Sequence, residues 1–344
     1  MNILAFESSC DETAAAVVRD GRTVLSDAIL SQADMHALYG GVVPEIASRK
    51  HVEAIAGLTD QALRDAGLTR KDIDAVAVTY APGLIGAVLV GVSFAKSAAY
   101  ALGVPLIPVH HVRGHIAANY LAFPELEPPF LALAMSGGNT LIVDVKDYTD
   151  MEVLGATRDD AAGECFDKVA RLLGFPYPGG PHIDRHAQLG DPKAIKVPQG
   201  LTQGKAGAAH PYDFSFSGVK TAVARWIEEQ QAAGRDVPID DVCASLADSV
   251  ATVLARKAMR GCRQYDSNTL IVGGGFSANS QLRAKLLEFG ENYGVDVRIP
   301  QIKLCTDNGA MVAMLGVNLV EAGVAPSAPD FPIDSAMPLT KVSM

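Results

Sequence analysis

The sequence predicts an α/β protein made of two similar halves, and three observations carry that reading. Short apolar runs at 3–7, 74–79, 105–109, 131–135, 141–145, 269–275 and 295–300 alternate with longer helical patterns, which implies a largely parallel sheet flanked by helices. The series strand, loop, helix, strand, helix start runs from Asp74 to His111 and again from Thr269 to Asp307, over roughly 37 and 38 residues, the span of a strand–helix–strand unit. Each half also carries a hairpin closed by a turn of small hydroxyl residues, Ser8–Thr13 in the first and Ser136–Thr140 in the second.

The elements follow in chain order. Residues 3–7 form a strand, and the turn after them bears two carboxylates, Asp11 and Glu12, before an apolar stretch ends at Gly21. Val52, Ile55, Ala56, Leu63 and Ala66 recur at helical spacing over 44–66, with Pro44 suited to the first turn. A strand at 74–79, the loop APGLIG and an apolar helix over 86–102 follow, and Gly103 ends that helix. The Pro105–Val109 strand then runs into a histidine-rich helix start. PELEPP at 124–129 reads as a linker, dividing a first lobe, 1–123, from a second, 124–344. In the second lobe, helices are expected at 163–173, 217–232, 239–264 and 279–289, and a final one after the 305–307 loop. Residues 175–216, rich in Gly, Pro, His and Gln, read as an insertion, either ordered or a flexible loop. The C-terminal helix and tail are free in this scheme to pack back on the first lobe.

Composition narrows the function. A chain of 344 residues with 49% hydrophobic and 20% charged residues can bury a large core. The net charge of −10 repels nucleic acid as a whole, so any such site must be a local basic patch or be helped by a partner. Two clusters qualify, Arg49–Lys50 and Arg256–Lys257–Arg260–Arg263, although each also fits an ordinary solvated helix face. Five cysteines without CxxC spacing argue for a reducing compartment. MNILAFESSCDET lacks a basic leader, and no apolar run approaches the ~20 residues of a membrane span. A cytoplasmic protein with no membrane partner is the expectation.

His111 and His115 stand four residues apart, so on a helix they share one face. Neutral imidazoles so placed can both reach one divalent cation. They also fit one capping and one solvated histidine. Asp307 heads the equivalent helix of the second half, and two halves facing each other across a pseudo-two-fold axis would bring it to the histidines. Two histidines and a carboxylate leave open positions on a metal. Glycine turns at Ser136–Gly137–Gly138 and Gly273–Gly274–Gly275 let backbone N–H groups approach an anion, or simply close tight turns.

Nine segments in order, ESSCDET (7–13), GGVVPEIASRKH (40–51), HHVRGH (110–115), MSGGNT (135–140), ATRDDAAGECFDKVARLLG (156–174), YPGGP (177–181), FSFSGVKTAV (214–223), VGGGFSAN (272–279) and CTDNGAM (305–311), give the chain a resemblance along nearly its whole length to the bacterial tRNA N6-adenosine threonylcarbamoyltransferases, long mislabelled as O-sialoglycoprotein endopeptidases. The resemblance implies a two-lobed actin, Hsp70 and sugar-kinase-like fold of duplicated ribonuclease-H-like subdomains. It implies transfer of the threonylcarbamoyl group of threonylcarbamoyl-AMP to N6 of adenine 37 in tRNAs reading codons that begin with A. His111, His115 and Asp307 would hold Fe2+ or Zn2+, one ion per subunit. Ala134, Met135, Ser136, Gly137, Gly138, Asp167, Gly180, Asp184 and Asn279 would bind substrate, with Asp11 and Glu12 at the catalytic edge. An inactive TsaB-like paralogue, docking through the first lobe, and a TsaE-like small ATPase would be partners. Arg113, Asn139 and Cys165 depart from the family pattern without replacing a ligand, and Arg113 puts an acid–base role at its position in doubt.

Rival readings are weaker. A zincin needs Glu after the first histidine, and Val112 stands there. Gly273, Gly275 and Ala278 spell GxGxxA, but no acidic residue ends the next strand to hold a ribose. Gly86 and Gly91 have P-loop spacing with Val92 in place of lysine. The serious alternative is a kinase or ATPase of the same fold, binding a nucleotide between the glycine turns. A non-catalytic scaffold like the paralogue should lack His111, His115 and Asp307.

Overall fold

A computed structural model describes residues 1–202 and 204–340. The architecture is α/β with two five-stranded sheets, and the chain falls into two compact units. The first comprises Met1–Pro128, Lys146–Glu152 and the chain from Pro300 onward; the second comprises Pro129–Val145 and Val153–Ile299. Asp307 therefore belongs to the first unit, with the histidines, and not to the second half in which its place in the sequence repeat puts it.

The first sheet contains β1 (Asn2–Glu7), β2 (Glu12–Arg19), β3 (Thr23–Ser31), β4 (Ala75–Ala81) and β5 (Leu106–His110), in the order β3-β2-β1-β4-β5. β1 pairs antiparallel with β2 and parallel with β4, and β4 pairs parallel with β5. Burial on both faces explains the unbroken apolar runs of β4 and β5, every residue of which is buried. Between the strands lie α1 (Ala33–Ala37), α2 (Pro44–Asp65) and α3 (Ile85–Leu102). Pro44 opens α2, and Gly103, at φ 67°, closes α3 in the left-handed conformation. The expectation that no apolar run approaches a membrane span needs correcting at α3. Its 18 residues have a mean hydropathy of 1.6, enough in length and composition to cross a bilayer. Of this helix 33% is buried, along the face that carries Val88, Val92, Ala95 and Ala99.

β5 passes without a loop into α4 (His111–Ala122), so the strand end aims the first turn of the helix. The last helix of the chain, numbered below, runs over Gly309–Glu321 and packs on α4, β1 and β2. Close approach requires glycine: a Cβ on Gly309 would lie 2.7 Å from Cβ of Ala16. Asn308 caps this helix by accepting from the Met311 N–H at 2.8 Å, and Asp27 of β3 accepts from the Gly309 N–H at 3.0 Å. These two bonds fix the backbone beside Asp307. The tail after the helix crosses the same unit. Lys96 donates to the Phe331 carbonyl at 2.7 Å, His110 Nε2 lies 3.1 Å from the Met337 carbonyl, and Arg113 Nε donates to the Leu339 carbonyl at 2.8 Å. Arg113, 1% exposed, also donates to the Thr149 carbonyl at 2.9 Å. It is a buried clamp on the tail, which explains why a cation can stand at that position.

The second unit repeats the plan. β6 (Phe130–Ser136), β7 (Asn139–Val145), β8 (Met151–Ala156), β9 (Thr269–Gly273) and β10 (Asp296–Arg298) form a sheet in the order β10-β9-β6-β7-β8, equivalent to the first. β6 pairs antiparallel with β7 and parallel with β9. The helices are α5 (Ala162–Leu172), α6 (Gly180–Ala187), α7 (Gly204–Ala209), α8 (Ser217–Ala232), α9 (Ile239–Gln264) and α10 (Ser280–Tyr293), which makes Gly309–Glu321 α11. Residues 175–216 carry α6 and α7. The buried Lys257 of α9 holds part of that segment by donating to the carbonyls of Leu201 at 2.9 Å and His210 at 3.1 Å, and to that of Asp213. Burial pulls the Lys257 ammonium pKa down to about 8.

Candidate active site

The β5–α4 junction presents His111 and His115 one helical turn apart, and the loop before α11 brings Asp307 to them. One ligand atom from each of the three lies within 4.8 Å of the others. Asp307 Oδ1 is 3.0 Å from His115 Nε2 and 3.6 Å from His111 Nε2. The imidazole rings meet edge to face, with centroids 4.7 Å apart. His115 is wholly buried, and neither of its ring nitrogens makes a well-aligned hydrogen bond, despite the short approach to Asp307. Burying two unsatisfied nitrogens costs free energy unless something engages them. Burial also lowers the His115 pKa and so favours the neutral, lone-pair-bearing ring. This donor set fits a divalent cation.

His111 is oriented from behind by a residue that sequence reasoning missed. Glu7, the last residue of β1, is fully buried, and its Oε2 lies 3.1 Å from His111 Nδ1 and accepts from Thr79 Oγ1 at 2.6 Å. Its Oε1 accepts from the Ser9 N–H at 2.5 Å. Burial works against the Glu7 charge, but His111 outweighs it and holds the carboxyl below its ordinary range. With Nδ1 protonated toward Glu7, Nε2 is turned toward Asp307. Carboxylate, imidazole and open Nε2 in series form the arrangement that orients metal-binding histidines. Burial opposes a proton on His111, yet Asp307 and Glu7 push its pKa up to about 9. A cation would replace that second proton. The signal available in the sequence was a carboxylate closing an otherwise apolar strand, ILAFE, where a buried charge needs a partner.

Asp11 and Glu12 stand at the start of β2, and the two side chains share a hydrogen bond. Burial, then the Asp307 and Asp11 charges, raise the Glu12 pKa to about 9. Glu12 Oε1 also lies 3.1 Å from Ser31 Oγ, which donates to it. Burial, with Asp11 and Asp307, drives the Cys10 thiol far above its usual range, which fits a small packing residue and not a nucleophile.

The remaining singled-out residues sit in the second unit. Ala134 and Met135 lie in β6, both buried, and Ser136 pairs with Asn139 across a two-residue tip of Gly137 and Gly138, with Gly137 at φ 53°. Gly274, at φ 91°, abuts the end of β6: a Cβ there would lie 2.1 Å from the Met135 carbonyl oxygen. Gly274→Ala is therefore expected to displace the Met135–Ser136 strand end and lower thermal stability, which a melting curve checks. Asp167 Oδ1 accepts from the N–H groups of Gly179 at 2.7 Å and Gly180 at 3.3 Å. Asp184 Oδ1 accepts from Asn279 Nδ2 at 2.9 Å and from the N–H and hydroxyl of Ser280 at 2.9 and 2.8 Å. Asn279 in turn caps α10, accepting from the Leu282 N–H at 2.8 Å. Asp184 and Asn279 are thus brought together, and Asp167 reaches the Gly180 turn.

Two sheets of equivalent strand order, each a three-strand meander extended by two parallel strands, define a protein of the duplicated actin and sugar-kinase-like class. Solved structures agree on the fold. HypF from T. kodakarensis superposes with a TM-score of 0.63 at 16% identity, covering 93% of this chain and 48% of its own. The ROK hexokinase of Thermus thermophilus gives 0.50 at 15% identity, covering 94% and 99%. A family model described as tRNA N6-adenosine threonylcarbamoyltransferase matches residues 23–314. The proteins of that name from Bifidobacterium longum and Bifidobacterium adolescentis are 73% and 70% identical over 343 residues, 99% of both chains in each case. The chain belongs to the tRNA N6-adenosine threonylcarbamoyltransferase family and is an acyltransferase that modifies tRNA.

Proposed function

We propose that the acyl donor is threonylcarbamoyl-AMP, that the acceptor is N6 of adenine 37 beside the anticodon of tRNAs reading codons that begin with A, and that His111, His115 and Asp307 hold one divalent cation, Fe2+ or Zn2+. The observation that carries this reading is the wholly buried His115 with both ring nitrogens lacking an aligned hydrogen bond, beside Asp307. A cation held there supplies Lewis-acid polarisation of the donor's carbonyl or phosphate oxygen. The protein's own groups do the rest. Glu7 fixes the His111 ring. Ser136, Gly137 and Gly138, following Ala134 and Met135, offer backbone N–H groups to the donor, and Asp167, Gly180, Asp184 and Asn279 shape its binding site. N6 forms a bond to the carbamoyl carbon, the carbon–oxygen bond to phosphate breaks, and AMP leaves. The N6 proton passes to a carboxylate oxygen of Asp11 or Glu12, at the start of β2. The adenine N6 lone pair is delocalised, so positioning matters, and it can contribute about 7 to 11 kcal/mol in favourable cases.

The partners in this reading are a TsaB-like paralogue and a TsaE-like small ATPase, and the compartment is the cytoplasm. The first unit offers apolar side chains for such a paralogue: Val52 of α2 and Ile85, Leu89 and Tyr100 of α3 are 63%, 59%, 52% and 89% exposed. The test is reconstitution. The purified chain with both partners receives threonylcarbamoyl-AMP and unmodified tRNA, and nucleoside digests are analysed for N6-threonylcarbamoyladenosine. Accumulation of the nucleoside with release of AMP supports the reading. Consumption of ATP with no modified nucleoside would move it to the kinase alternative.

A further inference from the structure

We propose that a three-arginine concavity at the C-terminal end of α9 is a docking site for the phosphate backbone of the tRNA. This rests on the tRNA reading above and adds a surface to it. Arg256, Arg260 and Arg263 are spaced four and three residues apart, so they line one face of the helix. All three are exposed. With Gln264 and Tyr293 they line a concavity of about 340 Å³ that contains no carboxylate. Among the described residues none of the three is in an ion pair; Arg256 donates to Gln199 Oε1 at 3.0 Å, a neutral partner. Lys257, adjacent in sequence, is turned inward onto backbone carbonyls and takes no part. The surface is therefore more selective than the basic run in the sequence suggests: three guanidiniums and a tyrosine, converging on one hollow.

Charge decides the occupant. In a chain of net charge −10, three unpaired guanidiniums on one hollow raise the local potential against the sign of the whole. Guanidinium forks suit phosphate oxygens bidentately. Tyr293, 45% exposed and stacked on Phe289, adds an aromatic edge at which a ribose or an unpaired base can rest. The class of ligand that presents several phosphates at once, and that this family acts on, is RNA.

The experiment uses the full chain and unmodified tRNA and measures Kd by filter binding from 50 to 200 mM salt. It compares wild type, the triple variant Arg256→Gln, Arg260→Gln, Arg263→Gln, the triple Arg→Lys variant, and a control triple, Lys71→Gln, Lys193→Gln, Arg235→Gln. Each phosphate contact contributes about 0.7 to 0.9 to the slope of log K against log salt. The glutamine triple is expected to weaken tRNA binding at least tenfold at 100 mM salt and to flatten the slope by about 2. The lysine triple should keep most of the slope, and the control should resemble wild type. Modification at saturating tRNA should persist in the glutamine triple, since its arginines are outside the chemistry; a wild type unable to modify tRNA would instead indict the functional reading. An unchanged slope in a glutamine triple with wild-type melting overturns the proposal, as does equal weakening in the control. Loss of binding to an acidic protein partner with tRNA affinity intact would also overturn it.

Discussion

Alanine at His111 or at Asp307 is expected to lower the rate of threonylcarbamoyl transfer at least tenfold and to abolish stoichiometric metal binding. A tenfold loss corresponds to about 1.4 kcal/mol of transition-state stabilisation. The two side chains approach the same point, with Asp307 Oδ1 within 3.6 Å of His111 Nε2 and 3.0 Å of His115 Nε2, so removing either leaves two donors where three converge. The folded state should tolerate the changes differently. His111→Ala leaves Glu7 buried without its charged partner, which costs stability as well as activity. Asp307→Ala removes an acceptor with 15% side-chain exposure, and its loss should fall mainly on metal and rate. Metal analysis of the purified variants, beside the transfer assay, separates the two effects. Wild-type rates in both variants would remove the three residues from the mechanism.

The second large effect is expected at Glu7. Glu7→Gln keeps the volume and one acceptor but removes the charge that holds a proton on His111 Nδ1. Outer partners of metal-binding histidines are typically worth 10- to 100-fold in metal affinity or activity. Glu7→Gln is therefore expected to raise the Kd for Zn2+ about 10- to 100-fold, measured by competition with a chromophoric chelator, with a smaller drop in the melting temperature of the metal-free protein from the broken Glu7–His111 pair. A purely structural role would reverse the pattern, lowering the melting temperature and leaving the Kd alone. Thr79, which donates to the same carboxylate at 2.6 Å, should be the milder site because it is neutral.

Much of this was legible in the residues because the physics is local. Apolar runs marked β4, β5, β6 and β9, and 3.6-residue spacing marked α2, since burial on one or both faces leaves its period in the sequence. β3 escaped because most of its side chains are exposed or half-buried, so Thr23–Ser31 carries no apolar run. α6 and α7 escaped because glycine, proline and histidine weaken the helical pattern, and the segment is held by Asp240, through His186 at 2.6 Å, and by Lys257, far away in the chain. Spacing alone put His111 and His115 on one helix face but left a metal pair and a capping-plus-solvated pair both open. The membership of Asp307 could not be read, because α11 repeats the position of α4 in the sequence pattern yet packs beside α4 in the first unit. Glu7 and Arg113 were hidden for a shared reason: each is a buried charge whose partners, His111 for one and the Leu339 and Thr149 carbonyls for the other, are distant in sequence.

The most direct measurement is an anomalous scattering map, at the absorption edge of the bound metal, from crystals of the protein purified with one equivalent of Fe2+ or Zn2+. A single strong peak in contact with His111, His115 and Asp307, and missing from crystals of Asp307→Ala, is the predicted result. A peak elsewhere on a protein that holds one equivalent, with those three side chains bonded only to each other, would contradict it.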